Sequence, residues 1–368
     1  MAVFKDLKVI ELASVLAGPS VGQFFAELGA TVIKIENSET GGDVTRSWKS
    51  TQEKTDSRSA YFSAINWGKQ SLSLNLKSEK DKLSFFDLLT NADVLLISFK
   101  PGDAEKLGVT YDACKHVNEK IIYAAITGYG KDDDRVGYDA VIQAESGFMS
   151  MNGEPGGNSL KMPVALIDLL AGHQLKEGIL VALYARQRSG IGCKVEVSLL
   201  DSALASLANQ ATNYLMVGKT PTKQGSLHPN IAPYGEVVKT KDGSEILLAL
   251  GSDKQFQELL KLLKLDDYLN DERFINNENR VANRKEMFEI INQAFLLFDS
   301  KEILPRLHQF KIPAGKINTV PQALQLPHAS PLIFDKDGCK AVRTFVAQFS
   351  NEALQPVKDL TSPPLLPK

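Results

Sequence analysis

The length, composition and charge of the chain already exclude several classes of protein. The 368 residues, of which 43% are hydrophobic and 23% charged, suit a globular protein with more than one domain, and the formal net charge of −2 argues against nucleic acid as the main partner. Charges at Lys5 and Asp6 interrupt the first apolar stretch, and no apolar stretch reaches membrane-spanning length, so we expect neither a signal peptide nor a membrane partner but a soluble, cytoplasmic protein.

Strands and helices are predicted to alternate in the first half of the chain. Lys8–Leu12 is typical of a buried strand, Pro19–Leu28 of a helix with proline in its first turn, and Thr31–Glu36 of a second strand. The pattern favours an α/β fold in which the large domain has a doubly wound, largely parallel, Rossmann-like sheet. A further helix is predicted at 78–91, and further strands are predicted at 93–97 and 120–126.

A different pattern begins after Gly225. Apolar runs at 234–240 and 245–250 flank a turn that contains Asp242 and Gly243, which predicts a hairpin, and another hairpin is predicted at Asp337–Gly338. The predicted division is a large domain at 1–200, a helical connection at 201–225, a smaller α/β domain at 226–320 and a C-terminal segment at 321–368 that returns to the large domain.

A lone carboxylate interrupts an apolar run. Asp168 lies within Pro163–Ala171, where no neighbouring charge neutralises it, and the four-residue spacing of Leu175, Ile179 and Leu183 predicts a helix that follows. An unpaired buried charge is costly, whereas the free N–H groups and the positive dipole end of a helix can hold an anion. Asp168 is therefore either a helix N-cap or a preorganised nucleophile or base.

Two kinds of cofactor site are not expected. The strand–helix–strand opening ends in Glu36, where a ribose-binding acid would stand, but Ser14–Pro19 lacks the glycine fingerprint of dinucleotide-binding loops, and Pro19 removes one N–H that would hold a pyrophosphate. Cys114 and His116 are two possible metal ligands without a second pair. The sequence therefore predicts neither a nicotinamide cofactor nor a metal ion.

Many short motifs follow one another in the order found in one enzyme family. The chain resembles the class III coenzyme A transferases, also called the CaiB/BaiF family, over nearly its whole length, and Asp168 falls at the position of the catalytic aspartate of that family. The motifs are Val9–Pro19, Gly29–Glu36, Asn66 with Lys69 and Ser71, Phe99–Gly102, Thr127–Gly130, Gly137–Asp139, His228–Pro229, Ala232–Tyr234, Asp242–Gly243, Arg273–Phe274, Arg280–Arg284 and Ile312–Gly315.

The resemblance implies an acyl-CoA:carboxylate CoA-transferase without a prosthetic group. Its partners would be an acyl-CoA, a carboxylic acid acceptor and a second copy of the chain, with which it would form an interlocked homodimer. Acyl-CoA would bind between the large domain of one subunit and the small domain of the other. Asp168 would attack the thioester to form a mixed anhydride, and returning CoA thiolate would convert this into an aspartyl-CoA thioester.

The resemblance also implies which residues contact coenzyme A. Four of the implied contact positions depart from common family residues: Leu16 stands where some relatives carry glutamine, Asn37 where some carry arginine, Ser98 where asparagine is common, and Lys100 where many carry arginine. The predicted contacts are Val15 and Ala17 at the nucleotide end, Leu74 and Lys77 near the adenine, and Phe99, Lys100, Lys106 and Arg135 near the phosphates.

Two alternative functions remain open at this stage. The same fold occurs in α-methylacyl-CoA racemases, in which a histidine takes the place of Tyr138 and exchanges protons together with the aspartate. A tyrosine of pKa about 10 is a poor partner for that exchange, although its hydroxyl can orient an acyl group or an oxyanion. His173 is expected to lie on the helix surface. A CoA-binding protein without catalysis is the other alternative, and the presence of Asp168 argues against it.

Overall fold

A computed structural model describes residues 2–351 and 354–364, and the chain divides into two compact units. The first unit contains the chain up to Met149, the stretch Lys161–Thr220 and the part from Ser330 onward. The second contains Ser150–Leu160 and Pro221–Ala329. The four-part division made from the sequence stays a prediction, because these units are defined by spatial proximity and not by independent folding.

The first unit is built on a six-stranded sheet in which all neighbouring strands are parallel. The strands are β1 (Lys8–Leu12), β2 (Thr31–Asn37), β3 (Lys69–Leu74), β4 (Val94–Ile97), β5 (Ile122–Thr127) and β6 (Lys194–Ser198). The order across the sheet is β3-β2-β1-β4-β5-β6, so the winding reverses between β1 and β4. The predicted parallel α/β sheet is confirmed, and ligands of such sheets bind beyond the carboxyl ends of the strands at that reversal.

Helices cover both faces of this sheet. Neighbouring residues of a strand point to opposite faces of the sheet. Val94 packs on one face with the helices at 17–27 and 166–189, and Leu95 packs on the other face with Phe85 and Leu89. The helices are α1 (Ala17–Glu27), α2 (Ala60–Ser63), α3 (Glu79–Thr90), α4 (Asp103–Leu107), α5 (Tyr111–Val117), α6 (Asp139–Glu145), α7 (Phe148–Met151), α8 (Leu166–Ser189), α9 (Leu199–Ala205) and α10 (Ala208–Val217), and a 3-10 helix spans Val44–Ser47.

The second unit has a sheet and a core of its own. Its three strands, β7 (Tyr234–Lys239), β8 (Glu245–Ala249) and β9 (Ala314–Lys316), are antiparallel, which confirms the hairpin predicted at 234–250. Phe256, Phe274 and Phe295 are buried in its core. The helices of this unit are α11 (Asp253–Leu262), α12 (Asn277–Ala282), α13 (Arg284–Phe295), α14 (Ser300–Gln309) and α15 (Val320–Leu324), and a 3-10 helix spans Asp266–Tyr268.

Glu27, at the end of α1, holds the C-terminal part of the first unit. The hairpin there consists of β10 (Ile333–Lys336) and β11 (Cys339–Val342), as predicted, and follows the 3-10 helix Ser330–Leu332. After it, the buried Glu27 carboxylate accepts hydrogen bonds from the N–H (2.8 Å) and hydroxyl (2.9 Å) of Thr344. The Glu27 carbonyl accepts another from the N–H of Val357 (2.8 Å).

Buried ion pairs join the first three strands at the carboxyl end of β1. Glu11 of β1 binds Lys34 of β2 (2.9 Å) and Lys69 of β3 (2.8 Å), and Lys34 also binds Asp43 (2.9 Å). Burial alone would lower the pKa of the Lys34 ammonium, but the carboxylates of Glu11 and Asp43 outweigh it and raise that pKa above its ordinary value. The sheet therefore depends on charges that balance one another out of water.

Replacement of Glu11 by glutamine is expected to destabilise the first unit by about 3 kcal/mol, because it leaves two buried ammonium groups with too little opposite charge. Both tryptophans, Trp48 and Trp67, lie in this unit, so urea unfolding followed by tryptophan fluorescence measures the loss.

The matched control for this substitution is Glu39→Gln. Glu39 forms an exposed ion pair with Lys77 (3.5 Å), and pairs of this kind contribute less than about 1 kcal/mol. Equal losses of stability in the two variants would contradict a supporting role for the buried ion pairs.

Candidate active site

A strained loop connects β1 to α1 at the reversal point of the sheet. Val15 has a φ of +71°, a left-handed conformation that is unusual for a β-branched residue and costs on the order of 1–3 kcal/mol. The N–H of Ser14 donates to the Ser98 hydroxyl (3.0 Å), and the N–H of Val15 donates to the Asp43 carboxylate (3.4 Å). Hydrogen bonds to the residue after β4 and to the segment after β2 therefore hold the loop.

Two adjoining cavities meet at this loop. The larger, of about 720 Å³, is lined by Asn37, Leu74 and Lys77, which the sequence predicted as contacts of coenzyme A. Ser14 and Phe99 line both cavities. The smaller, of about 330 Å³, is lined by the remaining predicted residues other than Lys106, namely Val15, Leu16, Ala17, Ser98, Lys100, Arg135, Tyr138 and Asp168.

Asp168 is the third residue of α8 and is almost completely buried. The interpretation of Asp168 as the N-cap is wrong, because the helix begins at Leu166 and Asp139 satisfies its first N–H groups instead. The Asp139 carboxylate accepts hydrogen bonds from the N–H of Ile167 (2.7 Å) and of Asp168 (3.3 Å). The Asp168 side chain is thus not needed as a cap and lines the smaller cavity.

The surroundings of Asp168 favour its uncharged form. Burial, and then the nearby charge of Asp139, raise the pKa of Asp168 from 3.8 to about 7. Tyr61 of α2 lies close enough to be affected: burial raises the pKa of its phenol, and the charges of Asp168, Asp139 and Asp43 raise it further. The site therefore combines a carboxylate that titrates near neutral pH with a phenol that keeps its proton.

The four basic side chains predicted to contact coenzyme A lie in different places. Lys77 at the larger cavity is paired with Glu39 (3.5 Å), and Lys100 at the smaller cavity is exposed. Arg135, predicted near the phosphates, lies at the Asp168 cavity, where it is paired with acidic residues 133 (2.9 Å) and 145 (3.3 Å). Lys106 is exposed, pairs with Asp103 (2.9 Å) and lines neither cavity.

Other side chains near Asp168 have the following positions. Tyr138 precedes α6 and is 60% exposed at the mouth of the smaller cavity, and His173 lies on the surface of α8, as predicted.

Sequence reasoning missed the roles of Asp139 and Tyr61. Asp139 is the first residue of a helix, but no sequence pattern indicates that it caps a different helix. Tyr61 lies in a polar stretch without a recognisable motif.

Neither a metal cluster nor a membrane span is found in the described residues. Within 2–351 and 354–364, no three His, Cys, Asp or Glu side chains are grouped so that they could hold a metal ion. Cys114 is buried, and its thiol donates to the carbonyl of Val109 (3.6 Å). Over the same part of the chain, no helix is both long and apolar enough to cross a membrane.

The chain is similar to known CoA-transferases in sequence and to a CaiB/BaiF family protein in fold. A sequence model of CoA-transferase family III matches residues 4–360. The chain is 40% identical to a succinate–glutarate CoA-transferase of Agrobacterium fabrum, with 87% of this chain and 81% of the relative covered. It is 34% identical to an acetyl-CoA:oxalate CoA-transferase of Acetobacter aceti, with 89% and 84% covered. A crystal structure of a CaiB/BaiF family protein from Brucella suis superposes with a TM-score of 0.88 at 37% identity, covering 98% of this chain and 95% of the other.

Replacement of Asp168 by asparagine is expected to stabilise the first unit increasingly as pH rises. A carboxyl whose pKa is raised by folding costs stability once the unfolded chain ionises, so the cost begins near pH 3.8 and is complete above about pH 7. This shift corresponds to about 4 kcal/mol at most. Urea unfolding between about pH 4.5 and about pH 8 should show the difference from the wild type growing and then levelling off.

The matched control is Asp87→Asn, which removes an exposed carboxylate from α3. Its effect on the free energy of unfolding gives the change expected when an aspartate that is not buried is replaced by asparagine. A difference between Asp168→Asn and the wild type that does not vary with pH would contradict the raised pKa of Asp168.

Proposed function

This chain belongs to the class III coenzyme A-transferases, the CaiB/BaiF family, and we propose that it transfers CoA between carboxylic acids through a covalent intermediate on Asp168. One observation carries the proposal: Asp168 is 7% exposed, has a raised pKa and lines a cavity beside the strained loop before α1. A carboxylate with little hydration is a stronger nucleophile than one in water, and the low water content protects a reactive anhydride.

The proposed reaction has two symmetrical halves. An oxygen of the Asp168 carboxylate attacks the carbonyl carbon of the acyl-CoA, and the CoA thiolate leaves. The thiolate then attacks the γ-carbon of Asp168, which releases the donor acid and leaves an aspartyl-CoA thioester. The acceptor carboxylate attacks the γ-carbon of that thioester, which expels the CoA thiolate and forms a second mixed anhydride. The thiolate finally attacks the acceptor carbonyl carbon, so that the new acyl-CoA leaves and the Asp168 carboxylate is restored.

Side chains around Asp168 support this chemistry. Each addition step places negative charge on a carbonyl oxygen, and a hydrogen-bond donor stabilises that charge. We assign this role to the hydroxyl of Tyr138, which lines the same cavity. Burial, and then the charge of Asp139, raise the pKa of Asp168 and so make its carboxylate more basic, and Asp139 orients the first turn of α8 by accepting two of its N–H hydrogen bonds.

The larger cavity is the proposed site of the CoA nucleotide. Leu74 supplies an apolar wall for the adenine, while Asn37 and Lys77 supply polar groups beside it. Phe99 lines both cavities, so the pantetheine arm passes there on its way to Asp168. The residues assigned to the loop and phosphate contacts are Val15, Leu16, Ala17, Ser98, Lys100, Arg135 and, at the periphery, Lys106.

Short dicarboxylic acids are the proposed substrate class. The relatives with 40% and 34% identity are named for succinate, glutarate and oxalate, all of which carry two carboxylates. Succinyl-CoA with glutarate is therefore the first donor and acceptor pair to test.

An interlocked homodimer is the proposed assembly. Apolar side chains on α8 and α10 are exposed in the single chain, among them Val181 (68%), Leu215 (80%) and Met216 (78%). Leu215 and Met216 are followed directly by Val217, which is also exposed (73%), and exposed apolar patches often mark a protein interface. Acyl-CoA then binds between the large domain of one subunit and the small domain of its partner.

Replacement of Asp168 by alanine is expected to abolish transfer from succinyl-CoA to glutarate and to leave CoA affinity within about threefold, because the carboxylate contacts the thioester and not the nucleotide. Trapping of the wild type with acyl-CoA and borohydride should modify the peptide that contains Asp168, as mass spectrometry of a digest will show.

Trapping in deuterated water separates a transferase from a racemase. In deuterated water, a racemase would exchange the α-proton of an α-methylacyl-CoA without a covalent adduct and without an acceptor acid. We expect an adduct and no exchange, because Tyr138 stands where a second base would be needed. Rapid α-deuteration without an adduct would overturn the transferase mechanism.

Dilution is expected to leave the dimer intact, because separating interlocked chains requires unfolding. Sedimentation velocity over a wide concentration range, followed by the same measurement in stepwise urea, should show dissociation only together with loss of tryptophan fluorescence. A folded monomer at low concentration would rule out interlocking.

A further inference from the structure

The loop between β1 and α1 takes part in both cavities. Ala13 and Ser14 line the larger cavity, whereas Ser14, Val15 and Leu16 line the smaller one that contains Asp168. A molecule that fills both cavities must therefore cross this loop. The position of the loop decides whether a group bound in the larger cavity and a thioester at Asp168 can be accommodated at the same time.

One buried carboxylate holds the loop in its strained conformation. Asp43 is 5% exposed, and its Oδ1 accepts hydrogen bonds from the N–H of Val15 (3.4 Å), the N–H of Thr45 (3.0 Å) and the hydroxyl of Thr45 (2.8 Å). Its Oδ2 lies 2.9 Å from the Lys34 ammonium. Asp43 is thus linked to the loop through one oxygen and to the buried ion pairs through the other.

Lys34 adds a second attachment of the same loop. Its ammonium donates to the carbonyl of Ala13 (2.6 Å), and Lys69 of the same ionic group donates to the carbonyl of Pro19 (2.8 Å). Burial would raise the pKa of Asp43, but Lys34 and the Thr45 hydrogen bonds lower it below its ordinary value. Asp43 therefore stays ionised and keeps both of its links at neutral pH.

We propose that Asp43 is a positioning residue that couples the larger cavity to Asp168 by holding Val15 in its left-handed conformation. The proposal rests on the proposed transferase function. Binding energy from a remote part of a substrate lowers the reaction barrier only when the protein between the two sites is rigid. Without Asp43, the loop would relax to an ordinary backbone conformation, and nucleotide binding would no longer place the thioester against Asp168.

The test compares two donors in wild type and Asp43→Asn. Succinyl-CoA has a nucleotide, whereas succinyl-pantetheine lacks it and cannot use the larger cavity. We expect Asp43→Asn to lower kcat for succinyl-CoA at least about tenfold and kcat/KM for succinyl-pantetheine by less than about threefold. A substitution that only damaged folding or the nucleophile would lower both values by the same factor.

Two further variants separate positioning from general disruption. Thr45→Val removes a buried hydroxyl that donates to Asp43 but leaves the hydrogen bond between Asp43 and the loop in place. With this variant, kcat for succinyl-CoA should stay within about twofold of the wild type. Val15→Gly removes the steric cost of positive φ, so in that background Asp43→Asn should lower kcat for succinyl-CoA by a smaller factor than in the wild type.

The outcomes distinguish this inference from the proposed function. A wild type that transfers from neither donor overturns both. A wild type that is active, with equal losses on the two donors in Asp43→Asn or with no loss on either, overturns the positioning role alone. A large loss on succinyl-CoA that is partly restored in the Val15→Gly background supports it.

Discussion

The removal of Asp168 from water is the constraint on which the site depends. A carboxylate in this environment would normally be paired, yet here the nearest charge that acts on it is a second carboxylate, Asp139, and its pKa rises to about 7. Both burial and repulsion oppose the charged form, so the protein gives up stability to keep a weakly hydrated carboxylate. That loss has to be offset elsewhere in the fold.

The other buried charges near the loop are balanced. Glu11 of β1, Lys34 in the middle of β2 and Asp43 beyond β2 are at least as buried as Asp168, and Lys34 pairs with both carboxylates. Glu36 is likewise bound by Arg46 (2.6 Å). One side of the reversal point therefore has matched buried charges, and the side at α8 has a buried carboxyl group without an opposite charge. The loop at Val15 joins the two.

Much of the fold could be predicted from local patterns. The strands at Lys8–Leu12 and 93–97 are apolar runs bounded by polar residues, and a parallel sheet follows because helices separate them. Position in the resembling family accounts for most of the site, since all predicted residues except Lys106 line the two cavities. Lys106 looked suitable as a cation near the phosphates, but it lies on the exposed side of α4 and pairs with Asp103.

The features that could not be predicted from the sequence depend on contacts between residues far apart in the chain. Asp139 lies 28 and 29 positions before the two α8 residues whose N–H groups it binds, and only the packed structure shows that it caps this helix. The positive φ of Val15 has no sequence signal either, because valine is among the residues least expected in that conformation. No sequence pattern marks Asp43 or Lys34 as buried, yet both are.

The central claim is that Asp168 becomes acylated during transfer, and oxygen exchange into its carboxylate tests this most directly. In the proposed second half, the acceptor carboxylate contributes the bridging oxygen of the anhydride, and that oxygen stays on Asp168 when the thiolate attacks the acceptor carbonyl. A single turnover with acceptor acid labelled by heavy oxygen should therefore leave one heavy-oxygen atom in the peptide that contains Asp168, and repeated turnovers should label its second carboxylate oxygen as well, as read by mass spectrometry. An unlabelled peptide after many turnovers would contradict covalent catalysis by Asp168.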